Sequence, residues 1–163
     1  MRVRSLSKIG AVLFIVSVAV SAETLKPCTQ IESRVLVTPS VAKSGTSPRF
    51  ALELANKGRD PVRLIDVRKG RRTDLADAYY ELVVCRSDGA PIDGPRQISD
   101  PGPISETDFF LLAPGAKVSL PLRSLVNLDT LSPGTYVAYV SVWMDPYSVD
   151  SRCRSNEAKF RIQ

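Results

Sequence analysis

Phe50-Ala51-Leu52-Glu53-Leu54-Ala55 places Phe50, Leu52 and Leu54 on one phase and Ala51, Glu53 and Ala55 on the other. A period of two is the pattern of a β-strand with one face turned to a core. Outward from it, Asn56-Lys57-Gly58-Arg59-Asp60-Pro61 is a turn by its Gly and Pro. Residues 62–67 then read as the next strand, and residues 34–38 (RVLVT) as the one before.

The same grammar runs to the C-terminus. In residues 79–86 (YYELVVCR), Tyr80, Leu82 and Val84 alternate with Tyr79, Glu81, Val83 and Cys85, and Ser87-Asp88-Gly89 closes the run. Residues 109–112 form a short strand ended by Ala113-Pro114-Gly115, and Val118, Leu120 and Leu122 resume the alternation. Residues 135–144 are the longest apolar run, and Ala158, Phe160 and Ile162 alternate at the end. Single helical turns fit only residues 73–82 and 122–131. About seven or eight short strands separated by turns predict an all-β fold, a single antiparallel β-sandwich.

Residues 1–22 read as targeting. Arg2, Arg4 and Lys8 precede a short apolar stretch at 11–20 (AVLFIVSVAV), and Val20-Ser21-Ala22 offers a cleavage site. The stretch is about half of the ~20 residues that a membrane span needs. The expectation is a cleaved signal peptide, export to the periplasm or beyond, and one domain over residues 23–163. Cleavage removes three of the 22 basic residues and no acidic ones, leaving 19 against 17 and a net charge of +2. So small a surplus gives no broad basic face for nucleic acid.

Composition also narrows the chemistry. The chain has no histidine, which excludes a Ser-His-Asp triad and His-ligated zinc or haem. Three cysteines cannot make a four-cysteine metal site. Asp93, Asp100, Glu106 and Asp108 lie among Pro and Gly without calcium-loop spacing, and they read as loop solubilisers rather than a carboxylate pair. No catalytic residue, metal or cofactor is expected.

A resemblance adds to this. Leu131-Ser132-Pro133-Gly134-Thr135-Tyr136, a Pro-Gly turn followed by a tyrosine at a strand start, looks like the tyrosine corner of immunoglobulin-like and fibronectin-like sandwiches. Phe50-x-Leu52-x-Leu54-x-Asn56-x-Gly58 with Pro61-Val62 looks like the second and third strands of such domains. With Leu112-Ala113-Pro114-Gly115, the order is similar to bacterial BsuPI-type proteinase-inhibitor-like domains over roughly residues 49–142. The resemblance implies an immunoglobulin-like path and carries over no inhibitory residue. On that path Cys28 precedes the first strand and Cys153 falls between the last two, which favours a Cys28–Cys153 disulfide, with Cys85–Cys153 as the runner-up. Cys85 is then expected as a free thiol packed beside a strand.

Two segments suggest partner contact. Arg68, Lys69, Arg71 and Arg72 put four cations in five residues, suited to an anionic partner or envelope surface. Tyr147, in the loop after Trp143, is an interface candidate, whereas Trp143 itself is expected in the core. The sequence therefore predicts an exported, non-catalytic binding domain whose partner is another protein, in the sharper version an inhibitor or immunity protein against a hydrolase. The alternative is an envelope-associated structural domain that meets an anionic surface through the basic loop.

Overall fold

The computed structural model describes residues 27–68, 75–90, 92, 102–124, 127–145 and 148–163. The fold is all-β, as the alternation predicts. Three strands form one antiparallel sheet in the order β1 (Ile31–Thr38), β3 (Arg49–Asn56), β7 (Lys117–Leu122). A second sheet runs β2 (Val41–Ala42), β10 (Ala158–Ile162), β8 (Gly134–Trp143), β5 (Tyr80–Arg86), with β9 (Arg152–Arg154) also paired to β8. A two-stranded sheet pairs β4 (Val62–Ile65) with β6 (Phe109–Leu112).

Two details depart from a plain antiparallel sandwich. β2 pairs parallel to β10, and β2 and β9 bring the strand total among the described residues to ten. Both extra strands are only two and three residues long, too short to show a period. The two expected helical turns are present, as α1 (Ala76–Tyr79) and a 3-10 turn at Leu128–Thr130.

The phases read from sequence are the phases that pack. Phe50, Leu52 and Leu54 are buried, and so are Tyr136, Ala138, Val140 and Val142 on β8 and Phe160 and Ile162 on β10. Burial of each large aliphatic side chain contributes about 1.5–3 kcal/mol. The two main sheets meet through rings. Phe50 stands edge-on to Phe160 at 5.5 Å between centroids, and Phe160 stacks on Tyr136 at 5.4 Å.

Buried polar groups fix the connections. Asn56 ends β3 with its amide donating to Leu112 O and Asp60 O, both at 2.8 Å, while its Oδ1 accepts the Gly58 N–H at 2.9 Å. One side chain thus satisfies carbonyls in two separate turns. The Tyr136 hydroxyl donates to Ser132 O at 2.6 Å, which is the upstream backbone bond expected of a tyrosine corner.

Tyr80 is buried, and its hydroxyl donates to Ile65 O at 2.8 Å. Burial, with the nearby Asp66 charge, pushes this phenol above its ordinary value of 10.0. A raised acid favours the folded state while protonated, so its contribution is complete below pH 10 and is lost as pH rises further. Tyr80→Phe leaves the Ile65 carbonyl short of a donor and is expected to cost about 1–3 kcal/mol at neutral pH. The gap to the parent should narrow above pH ~10, where only the parent must keep a buried phenol protonated. Urea unfolding at neutral and alkaline pH checks both halves, and a constant gap would refute the second.

Candidate functional site

β8 decides where the site lies. Its even positions fill the inner face, so period two sends Val137, Tyr139, Ser141 and Trp143 to the outer face. Trp143 therefore corrects the expectation that it sits in the core. It is half-buried on the outer phase of β8, packed at the edge of the core 5.8 Å from the buried Tyr79 ring, with the Arg152 guanidinium 5.0 Å from its own centroid.

Register builds the rest of the face. Ser141 stands opposite Glu81 on one side and Arg154 on the other, and Trp143 stands opposite Arg152. Arg152 Nη2 bonds Glu81 Oε2 at 2.9 Å. Arg154 lies 3.7 Å over the Tyr139 ring and reaches Glu157 Oε1 at 2.5 Å. Two arginines thus stand over two aromatic rings, an arrangement worth about 0.5–1 kcal/mol each where exposed. Lys159 and Arg161 extend the same face on β10, opposite Val137 and Thr135. Among the described residues, cations outnumber acids here by four (Arg152, Arg154, Lys159, Arg161) to two (Glu81, Glu157).

Among the described residues, the buried side-chain polar atoms without a hydrogen-bond partner are Ser141 Oγ, Trp143 Nε1 and Arg154 Nε. All three belong to this one face. Such atoms are rare in folded proteins, and each costs stability when unmatched. Ser141 is 3% exposed, so its hydroxyl is held in the sheet with no partner of its own.

β9 carries both stacked arginines and is anchored from behind. Cys153 is disulfide-bonded to Cys28 with a Cα–Cα separation of 4.9 Å, and Pro27 forms a parallel bridge to Arg154. The following residues are tied in as well. Ser155 Oγ accepts the Val140 N–H at 2.8 Å, and Asn156 Oδ1 accepts the Val35 N–H at 2.9 Å. The favoured cysteine pairing is therefore the one present. Cys85 takes no part in a disulfide and is buried, opposite Val137.

The other residues singled out from sequence fare differently. Arg68 is not a loose cation. Its Nε and Nη2 bond the two carboxylate oxygens of buried Asp66 at 2.7 and 2.5 Å, and its guanidinium lies 4.5 Å over Phe110. The pairing with Asp66 pushes its already high pKa further up. Lys69, Arg71, Arg72 and Tyr147 lie outside the described residues, as do Asp93, Asp100 and the targeting segment. Glu106 pairs with Arg63 at 2.6 Å, while Asp108 accepts the Ser105 N–H and hydroxyl at 2.7 and 2.9 Å. Both acids serve local structure. The sequence reading missed Tyr139, Arg152 and Arg154, although Tyr139 and Trp143 visibly share a phase.

No family model matches the chain, and no curated protein matches it. Solved structures give low similarity. An alkylpurine DNA glycosylase from Pseudomonas fluorescens, AlkC, solved with DNA containing an abasic site analog, is 16% identical with a TM-score of 0.45, over 84% of this chain and 31% of its own. The chain thus spans about a third of that protein's length. AvmM, which catalyses macrocyclization in alchivemycin A biosynthesis, is 17% identical at a TM-score of 0.39, over 86% of this chain and 92% of its own. A Listeria innocua β-glucosidase in complex with laminaribiose is 12% identical at a TM-score of 0.38, over 82% of this chain and 16% of its own. Likeness at this level leaves the question of function to the chain's own residues.

Proposed function

We propose that this chain is an exported, non-catalytic binding domain that recognises a protein partner through the outer face of the five-stranded sheet. The observation that carries the reading is the convergence of Trp143, Tyr139, Arg152 and Arg154 with the three unpartnered polar atoms on one face. Trp, Tyr and Arg are the residues in which interface energy concentrates. The surplus of cations favours a partner with an acidic surface. The signal-like segment at 1–22 and the Cys28–Cys153 disulfide both suit an oxidising, extracytoplasmic setting. An inhibitor or immunity protein acting on a hydrolase is the sharper form of the same reading, supported by the motif resemblance. The alternative, docking of the basic loop on an anionic envelope surface, is weakened because Arg68 is already neutralised by Asp66.

The test is affinity capture of the tagged mature chain from envelope extract, followed by titration of the purified partner. Trp143→Ala is expected to weaken binding about 30-fold or more, the effect of a hot-spot truncation. Arg154→Gln should weaken it less and flatten its salt dependence. Arg49→Gln, an exposed change on the three-stranded sheet, should leave it intact. A partner that ignores both outer-face substitutions would refute the proposal.

A further inference from the structure

A cleft of about 560 Å³ opens beside the start of β8, between the turn after β5 and the connection that leads into Tyr136. It is built by two local devices. Arg86 ends β5 opposite Tyr136, and the chain then turns through Ser87-Asp88-Gly89, with Gly89 at φ +85° and its N–H donating to Arg86 O at 2.9 Å. On the far side, the Tyr136–Ser132 bond holds the Pro133-Gly134 corner in place. This cleft is separate from the outer face, because Tyr136 belongs to the inner phase of β8.

Among the described residues the lining is mostly polar and electrically balanced. Arg86 and Asp88 supply one charge of each sign, and Ser87, Ser132 and Thr135 supply hydroxyls beside the Tyr136 ring. Among the described residues Arg86 makes no ion pair, and Asp88 accepts the Ala90 N–H at 3.0 Å through one oxygen. An anion would meet Asp88 and a cation would meet Arg86, while an apolar ligand would strip water from both charges without replacing it. A ligand that offers closely spaced donors and acceptors and carries no net charge satisfies both. The size lies within the range of small-molecule sites, ~300–1,000 Å³. We infer that this cleft binds a neutral saccharide, with Asp88 accepting from vicinal hydroxyls, Arg86 donating to them, and Ile92 and Pro133 as the apolar wall.

Saturation-transfer NMR and calorimetric titration of the full mature chain test this, with glucose, galactose and their disaccharides as probes. Glycine and alanine serve as zwitterionic competitors. At least one sugar is expected to bind, with an affinity that stays constant from low to high salt. Asp88→Asn keeps an oxygen for the Ala90 N–H and so keeps the turn, and Arg86→Gln changes only an exposed side chain. Each should weaken sugar binding about tenfold or more. Absence of transfer to every sugar, preferential binding of the amino acids, or an affinity indifferent to both substitutions would each overturn the inference. Because neither variant touches Trp143 or Arg154, partner capture should survive both, which separates this outcome from that of the protein-binding face.

Discussion

Replacing Cys28 and Cys153 together by Ser is expected to lower stability by about 2–5 kcal/mol. The bridge joins residues 125 apart in sequence, so its removal frees a long closed loop in the unfolded chain. The folded state should feel the change too. β9 has three residues, and outside its pairing with β8 it is held by the bridge, the Pro27 contact and the polar ties at residues 155 and 156. Loosening β9 would lift Arg152 from Trp143 and Arg154 from Tyr139. The chain contains one tryptophan, so its fluorescence reports this site directly. The variant should melt earlier and emit at longer wavelength while still folded. A melting point equal to that of the parent would refute the stability argument. Earlier melting with unchanged emission would mean that β9 stays docked and that the bridge acts on the unfolded chain alone.

The strands that were legible are those whose two faces differ. β3, β5 and β8 alternate over seven to ten residues, and their apolar phases are the buried ones. What alternation cannot report is the neighbour across the ladder. Arg152-Cys153-Arg154 carries no apolar phase and reads as loop, yet it pairs with the end of β8 and lays its arginines on Trp143 and Tyr139. Trp143 was misplaced for a related reason. Size and hydrophobicity suggest a core residue, but its phase on β8 opposes Val140 and Val142, which already fill the interior. Phase outweighs residue type because a strand cannot turn one side chain without turning all of them. The cysteine pairing was readable because chain path, unlike side-chain contact, follows from strand order. Charge counting alone does not show that Arg68 is paired, because it does not report that Asp66 two residues earlier is buried and takes both guanidinium bonds.

That pair carries the second large effect. Asp66 is 2% exposed, and its carboxylate accepts the Arg68 backbone N–H at 3.2 Å in addition to both guanidinium bonds. Arg68 is different, with a side chain 46% exposed. The two substitutions should therefore be unequal. Asp66→Asn leaves a guanidinium that can swing into water, at a cost of about 1–2 kcal/mol in lost hydrogen bonding. Arg68→Ala takes both guanidinium bonds away from a buried carboxylate and strips the cover from Phe110. The expected loss is about 3 kcal/mol, the low end for breaking a buried pair because water reaches the vacated place. In the double variant the buried charge is gone, so stability should recover part of the way toward Asp66→Asn alone. Denaturant midpoints for the three variants at neutral pH check the order. If Arg68→Ala proved as mild as Asp66→Asn, the arginine would be an exposed cation after all, and the basic loop would regain its claim on an anionic partner.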